Sequence, residues 1–130
     1  MTDTQSSFDI VIIGGGLVGM SLAVALAKSP FTVLLLEQNQ AAPLHANTLD
    51  LRTTGLTRSS EKMFMQAGIW QKIAMAATPI ERLDISEQGN FGGARIDANQ
   101  HGISPIGYMV PNHHLIQVLS EKVAQLSNVK

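Results

Sequence analysis

The chain has 130 residues, of which 45% are hydrophobic and 15% charged, with a formal net charge of -1. That is enough apolar material for one ordinary domain or a piece of a larger one, and the balanced charge gives no reason to expect nucleic acid as a partner. The absence of cysteine excludes disulfides, thiolate metal sites and cysteine nucleophiles, and suits a reducing cytoplasm.

Residues 1–7 are polar and lack a basic region, so they read as a disordered N-terminus and not as a signal peptide. Residues 8–13 form a compact apolar run rich in β-branched side chains, which predicts a strand buried on both faces, as in a parallel sheet. Gly14, Gly15 and Gly16 end it in a tight turn. Residues 17–28 then read as a helix with Gly19, Ala23 and Ala27 on one face, where small side chains allow close approach to the sheet; Ser29-Pro30 stops it. Gly19 and Ser21 interrupt this apolar segment, which is too short to span a bilayer, so a soluble chain is expected. Residues 32–36 predict a second buried strand closed by Glu37.

Residues 38–51 carry no period and read as a long loop. A helix is expected over residues 56–67 with Gly68 as its stop, and one more short helix over residues 69–77. Residues 80–86 and 91–96 read as two strands joined by a turn at Gln88-Gly89-Asn90. Residues 99–105 read as loop and residues 108–110 as a short strand. Asn112 is placed as the N-cap of a final helix whose apolar stripe is Leu115, Val118, Leu119, Val123 and Leu126.

Gly14-Gly15-Gly16-Leu17-Val18-Gly19 matches G-x-G-x-x-G. The pattern alone is weak, but here a buried strand precedes it, a helix begins within it, and an acidic residue closes the next strand about 20 residues on. Gly14 permits the sharp turn, Gly16 lets a pyrophosphate approach the backbone, and Gly19 permits close helix–strand packing. The helix start offers free N–H groups and about half a positive charge to phosphates. The Glu37 carboxylate accepts hydrogen bonds from ribose hydroxyls and would repel a 2′-phosphate, which disfavours NADP. These residues suit FAD and NAD alike, and the plain alternative is a strand–helix turn with an incidental glutamate.

The stretch Asp50-Leu51-Arg52-Thr53-Thr54-Gly55-Leu56-Thr57-Arg58-Ser59-Ser60, ending in Ala67-Gly68-Ile69-Trp70, resembles the FAD-dependent aromatic hydroxylases of the ubiquinone-biosynthesis branch. Residues 85–92 and Gly107-Tyr108-Met109-Val110-Pro111-Asn112 are similar to that branch as well. The resemblance covers nearly the whole chain from Phe8 onward. It implies an α/β fold, a Rossmann-like FAD-binding βαβ unit of the glutathione-reductase type. Only the N-terminal part of the FAD-binding domain is expected in residues 8–130, with residues 80–110 a β-rich insertion. The G-x-D-G and G-D-x-x-H segments of the family, the rest of the domain and the substrate domain are expected to lie outside this sequence, so the chain is read as an N-terminal fragment, inactive in isolation.

The resemblance further implies Arg52 near the flavin's ribose and pyrophosphate, where a guanidinium binds phosphate oxygens bidentately; a solvated loop arginine is the plain alternative. Asp50 is expected to orient that loop. Asn112 stands where many relatives have an arginine or another polar residue, so a contact on the flavin side competes with simple capping. The expected cofactor contacts are therefore Gly14, Gly15, Gly16, Leu17, Val18, Gly19, Glu37 and Arg52, with no catalytic acid–base pair. The implied activity is hydroxylation of an apolar, polyprenylated phenol by FAD with dioxygen and NAD(P)H as reductant. It is expected in the cytoplasm, with peripheral contact with the inner membrane or an assembly of ubiquinone-biosynthesis enzymes as further implications. Two alternatives stay open: a flavoprotein reductase or oxidase of the same fold, and a truncated cofactor-binding module.

Other residues carry less. His45, His101, His113 and His114 are scattered without metal-ligand spacing. Met63, Phe64 and Met65 read as core filling, Trp70 as packing under a helix, and Ser59 and Ser60 lack a histidine and acid for nucleophilic use.

Overall fold

A computed structural model describes residues 7–38, 51–89, 91–103 and 105–130. The expectations for residues 1–6, for most of the loop at 38–51, and for His45, Asp50 and Asn90 lie outside those residues.

The chain opens with strand β1 (Ile10–Ile13), helix α1 (Leu17–Ala25) and strand β2 (Val33–Leu36). β1 and β2 pair in parallel, with Ile10 opposite Val33 and Ile13 opposite Leu36. The other edge of β2 is taken by residues 128–130: Val33 N–H donates to Asn128 O at 2.8 Å, and Lys130 N–H to Val33 O at 2.9 Å. Val129 bridges Val33 in parallel, so the sheet continues beyond β2 with a segment from far along the chain. Ile12, Ala23 and Val33 are buried together and join α1 to this sheet. α1 is shorter than expected. Leu26 is its C-cap, and Ser29 Oγ donates to Leu26 O at 2.7 Å to close the end before Pro30.

Asp9 fixes the entry to both strands. Its carboxylate accepts Thr32 N–H at 2.7 Å and Thr32 Oγ1–H at 2.8 Å. The backbone bond first, then the hydroxyl, hold the Asp9 carboxyl below the usual aspartate range. A depressed carboxyl contributes stability above its unfolded-state pKa and loses it as pH falls through the folded value. We predict that Thr32→Ala raises the Asp9 titration midpoint part of the way back, because the backbone donor remains. Carboxyl chemical shifts against pH measure this, and an unmoved midpoint would remove the hydroxyl from the account.

The middle of the chain departs from the expected helix over 56–67. Thr53–Thr57 is strand β3, and helix α2 (Arg58–Gln66) starts only after it. Thr57 is the N-cap, its hydroxyl accepting Ser60 N–H at 3.2 Å. Gly68, with φ 73, turns the chain out of α2, and Ile69 N–H returns to Phe64 O at 3.0 Å. Helix α3 is limited to Trp70–Ala74, and strand β4 (Thr78–Ile80) follows. Ile80 thus belongs to β4 and not to the strand over 82–86: β5 (Arg82–Ser86) pairs instead with β6 (Gly93–Asp97). Asn99–His101 is a single 3₁₀ turn where loop was expected.

Strand β7 (Gly107–Pro111) is the centre of a second, antiparallel sheet in the order β3-β7-β4. Helix α4 (Asn112–Val123) follows without a break, with Pro111 in the N-cap position. Asn112 is therefore the first helical residue, a correction to its expected place as the cap. The predicted stripe holds: Leu115, Val118 and Leu119 are buried, and Val123 and Leu126 pack at its margin. They meet Met20 and Val24 of α1, with Phe64, Trp70 and Ile73, in one core. Each such buried side chain stabilises by roughly 1.5–3 kcal/mol.

Trp70 packs edge-on against Tyr108 at 4.9 Å between ring centroids. The Tyr108 hydroxyl donates to the buried Glu61 at 3.2 Å, and Arg58 pairs with Glu61 at 2.7 Å, which satisfies a carboxylate removed from water. Burial, then the Glu61 charge, push the Tyr108 hydroxyl above its usual range. Phe64 and partly Met63 fill the core as expected, but Met65 is 53% exposed. It sits on the outward face of α2.

Candidate functional site

Where β1 ends, Gly14 takes φ 106, a conformation that side chains disfavour, and its N–H donates to Leu36 O at 2.8 Å. The turn is thereby tied to the end of β2. Gly16 caps α1 through its backbone alone, so no side chain covers the helix start. The unsatisfied N–H groups of the first turn are left for water or a ligand.

The four glycines differ in what surrounds them. A Cβ on Gly19 would stand 1.9 Å from Gly14 O, so α1 crosses the turn at a distance only glycine allows. A Cβ on Gly16 would meet nothing within 4 Å, which leaves open space against bare backbone. A Cβ on Gly15 would stand 2.9 Å from Cβ of Glu37. Glu37 reaches back over the turn, and its Oε2 accepts Gly15 N–H at 2.6 Å. The glycine at the free position of the motif is thus needed by the acidic residue closing the next strand, a role that spacing alone does not reveal.

A groove of about 570 Å³ lies in front of this turn. Gly14, Gly16, Leu17, Val18 and Gly19 form one wall, and Arg52 with Asn112 form the other. The second wall follows from sheet register. β3 and β7 pair with Thr53 opposite Pro111, and one residue further Asn112 N–H donates to Arg52 O at 3.0 Å. Two residues distant in sequence are brought to one mouth by a strand that periodicity does not predict. Thr54 Oγ1 also donates to Asn112 Oδ1 at 2.6 Å. Gly15 and Glu37 do not line the groove but sit together on the neighbouring side of the turn.

The site therefore offers backbone N–H groups, a guanidinium and an amide on one side of the glycine turn, and a carboxylate on the other. The donors suit an anion with several oxygens. The carboxylate suits hydroxyl donors. Among the described residues no group of three His, Asp or Glu side chains could hold a metal. His114 Nε2 lies 2.8 Å from Lys72 O, and His101 and His113 are exposed.

The family described as FAD binding domain matches residues 7–129. The chain is similar to 3-demethoxyubiquinol 3-hydroxylase of Escherichia coli (strain K12), with 33% identity over 118 residues, covering 89% of this chain and 30% of that protein. It is similar also to ubiquinone hydroxylase UbiM of Neisseria meningitidis, with 29% identity over 131 residues, covering 93% of this chain and 27% of that protein. The chain thus spans less than a third of the length of these relatives. In fold it matches OxyS anhydrotetracycline hydroxylase from Streptomyces rimosus at a TM-score of 0.69 and 18% identity, over 94% of this chain and 23% of that one.

Proposed function

We propose, from the premise that this chain belongs to the FAD binding domain family, that its glycine turn, Glu37 and Arg52 hold the ADP part of FAD for the hydroxylation of a polyprenylated phenol in ubiquinone biosynthesis. The observation that carries the binding site is the convergence of the turn at 14–19 with Arg52 on one groove, with Glu37 folded over the other side of the turn.

The residues fit the group. Open space beside Gly16 admits a diphosphate against the backbone. The N–H groups of the first turn of α1 and its dipole would meet the negative charge there. Arg52 adds a planar, permanently charged donor. The Glu37 carboxylate, which accepts Gly15 N–H, is an acceptor of the kind the adenosine ribose hydroxyls need. Bound FAD supplies the redox chemistry, with NAD(P)H as reductant and dioxygen as oxygen source. This chain's residues bind and orient it.

The hydroxylase reading is supported by the names of the relatives, which are ubiquinone hydroxylases. The proposed substrate is an apolar phenol of the kind that 2-octaprenyl-6-methoxyphenol exemplifies. Such a molecule partitions into lipid, so we place the working enzyme at the cytoplasmic membrane surface, alone or with other enzymes of the pathway. No helix among the described residues is long and apolar enough to cross a membrane.

Titration of the chain with FAD, followed by flavin fluorescence, tests the binding. Arg52→Ala is predicted to weaken it by about tenfold to a hundredfold, the loss of a hydrogen bond to a charged group. Unchanged affinity in a folded variant would take Arg52 out of the site. Cells in which the gene encoding this chain is deleted are expected to accumulate a polyprenylated phenol one oxygen atom short of the parent product; an unaltered quinone profile would reject the hydroxylation.

A further inference from the structure

The structure assigns Thr54 and Asn112 to one device: the Thr54 hydroxyl fixes the Asn112 amide so that its NH₂ group serves as a dedicated donor to the FAD diphosphate. This rests on the reading of the groove as the diphosphate site.

An asparagine side chain is ambivalent, with a carbonyl oxygen at one end of its amide and two N–H donors at the other. Toward an anion only one orientation is favourable, and a freely rotating amide presents its oxygen for part of the time. Here the choice is made by a neighbour. Thr54 Oγ1 donates to Asn112 Oδ1 at 2.6 Å, in a part-buried position. With the oxygen engaged on β3, the NH₂ group lies at the opposite end of the amide plane, and Asn112 lines the groove with Gly16 and Arg52. The main chain is fixed too, because Asn112 N–H donates to Arg52 O at 3.0 Å.

The placement follows from strand geometry. Arg52 lies just before β3 and Thr54 within it, so both stand at the end of the strand that faces the start of α4. Antiparallel register then sets both against the start of α4. Arg52 provides charge, and Asn112 provides a neutral donor whose direction Thr54 controls. Thr54 itself is a positioning residue.

The test measures dissociation constants for FAD and ADP by calorimetry on the full chain, with the thermal midpoint recorded for each variant. Asn112→Asp keeps a bond to Thr54 available and turns an oxygen toward the groove, so both ligands should bind at least about tenfold more weakly. Thr54→Val should weaken both by about three- to tenfold, and Thr54→Ser should restore the parent value. Thr54→Val should add nothing in an Asn112→Ala background, which a merely structural role would not reproduce. Parent affinity in Thr54→Val, or an equal further loss in the Asn112→Ala chain, overturns the device. If Thr54→Val melts early, Thr54→Ser against Asn112→Asp decides: equal losses in both, or none in Asn112→Asp, overturn it. Glu37→Ala separates the two readings. Weaker ADP binding in Glu37→Ala with none in Thr54→Val overturns the device alone, whereas a parent chain that binds neither FAD nor ADP overturns both.

Discussion

Gly19→Ala is expected to lower the thermal midpoint of the chain by roughly 10 °C or more and to abolish measurable FAD binding. The added methyl would lie 1.9 Å from a main-chain oxygen, Gly14 O, and 3.3 Å from Cγ2 of Ile12. A flexible side chain can step aside from such a contact, but a carbonyl tied into the glycine turn cannot. Either α1 lifts from β1 or the turn opens. Overpacking of this kind costs about 3 kcal/mol or more, and Ala23, fully buried one helical turn away, would lose its packing with Ile12 and Val33. Gly16→Ala is the control. Its Cβ meets nothing within 4 Å, and φ of -76 suits alanine, so its melting should match the parent while FAD binds more weakly. A Gly19→Ala chain that melts like the parent would show that the close crossing is not what holds the turn.

Glu37→Ala is expected to weaken FAD and ADP by about tenfold to a hundredfold. Two effects act together. The acceptor for the ribose hydroxyls is lost, and Gly15 N–H loses the partner it holds at 2.6 Å. The parent should also discriminate strongly against an ADP that carries a 2′-phosphate, because that phosphate would approach a carboxylate. The variant should lose most of this preference. Competition between the two nucleotides measures the ratio, and a ratio that survives in Glu37→Ala would place the discriminating charge elsewhere. Retention of FAD should suffer more than any coupled oxygen chemistry, since Glu37 lies on the side of the turn proposed for the sugar.

Residues 8–37 are nearly legible from sequence because their determinants are local. A β-branched run, three glycines, a small-residue face and a closing glutamate each act on near neighbours, and the βαβ unit appears where they place it. β3 was not legible. Thr53-Thr54-Gly55-Leu56-Thr57 has one buried apolar residue, Leu56, and no alternation of the usual kind. It is a strand because β7, some fifty residues on, pairs with it. Periodicity therefore assigned Leu56 to the helix that begins at Arg58. β4 was hidden by Pro79, which is tolerated because β4 is an edge strand of its sheet. Asn112 is a residue type that favours N-caps, but Pro111, with its fixed φ and no N–H, takes that place and moves Asn112 into the first turn. The same tertiary pairing that sequence reading missed is what brings Arg52 and Asn112 together.

One wall of the groove is local to the glycine turn, whereas the other joins Arg52 to the distant Asn112, and this orders events during synthesis. The segment from Phe8 to Glu37 leaves the ribosome first and carries the glycine turn with its acidic clasp. β3 emerges later but has no strand to pair with until β7 follows, and the edge of β2 waits still longer for residues 128–130. During synthesis the glycine turn and Glu37 therefore emerge well before the strand that fixes Arg52 beside Asn112. The second wall of the groove therefore depends on the pairing of β3 with β7, and the glycine motif by itself supplies only the first.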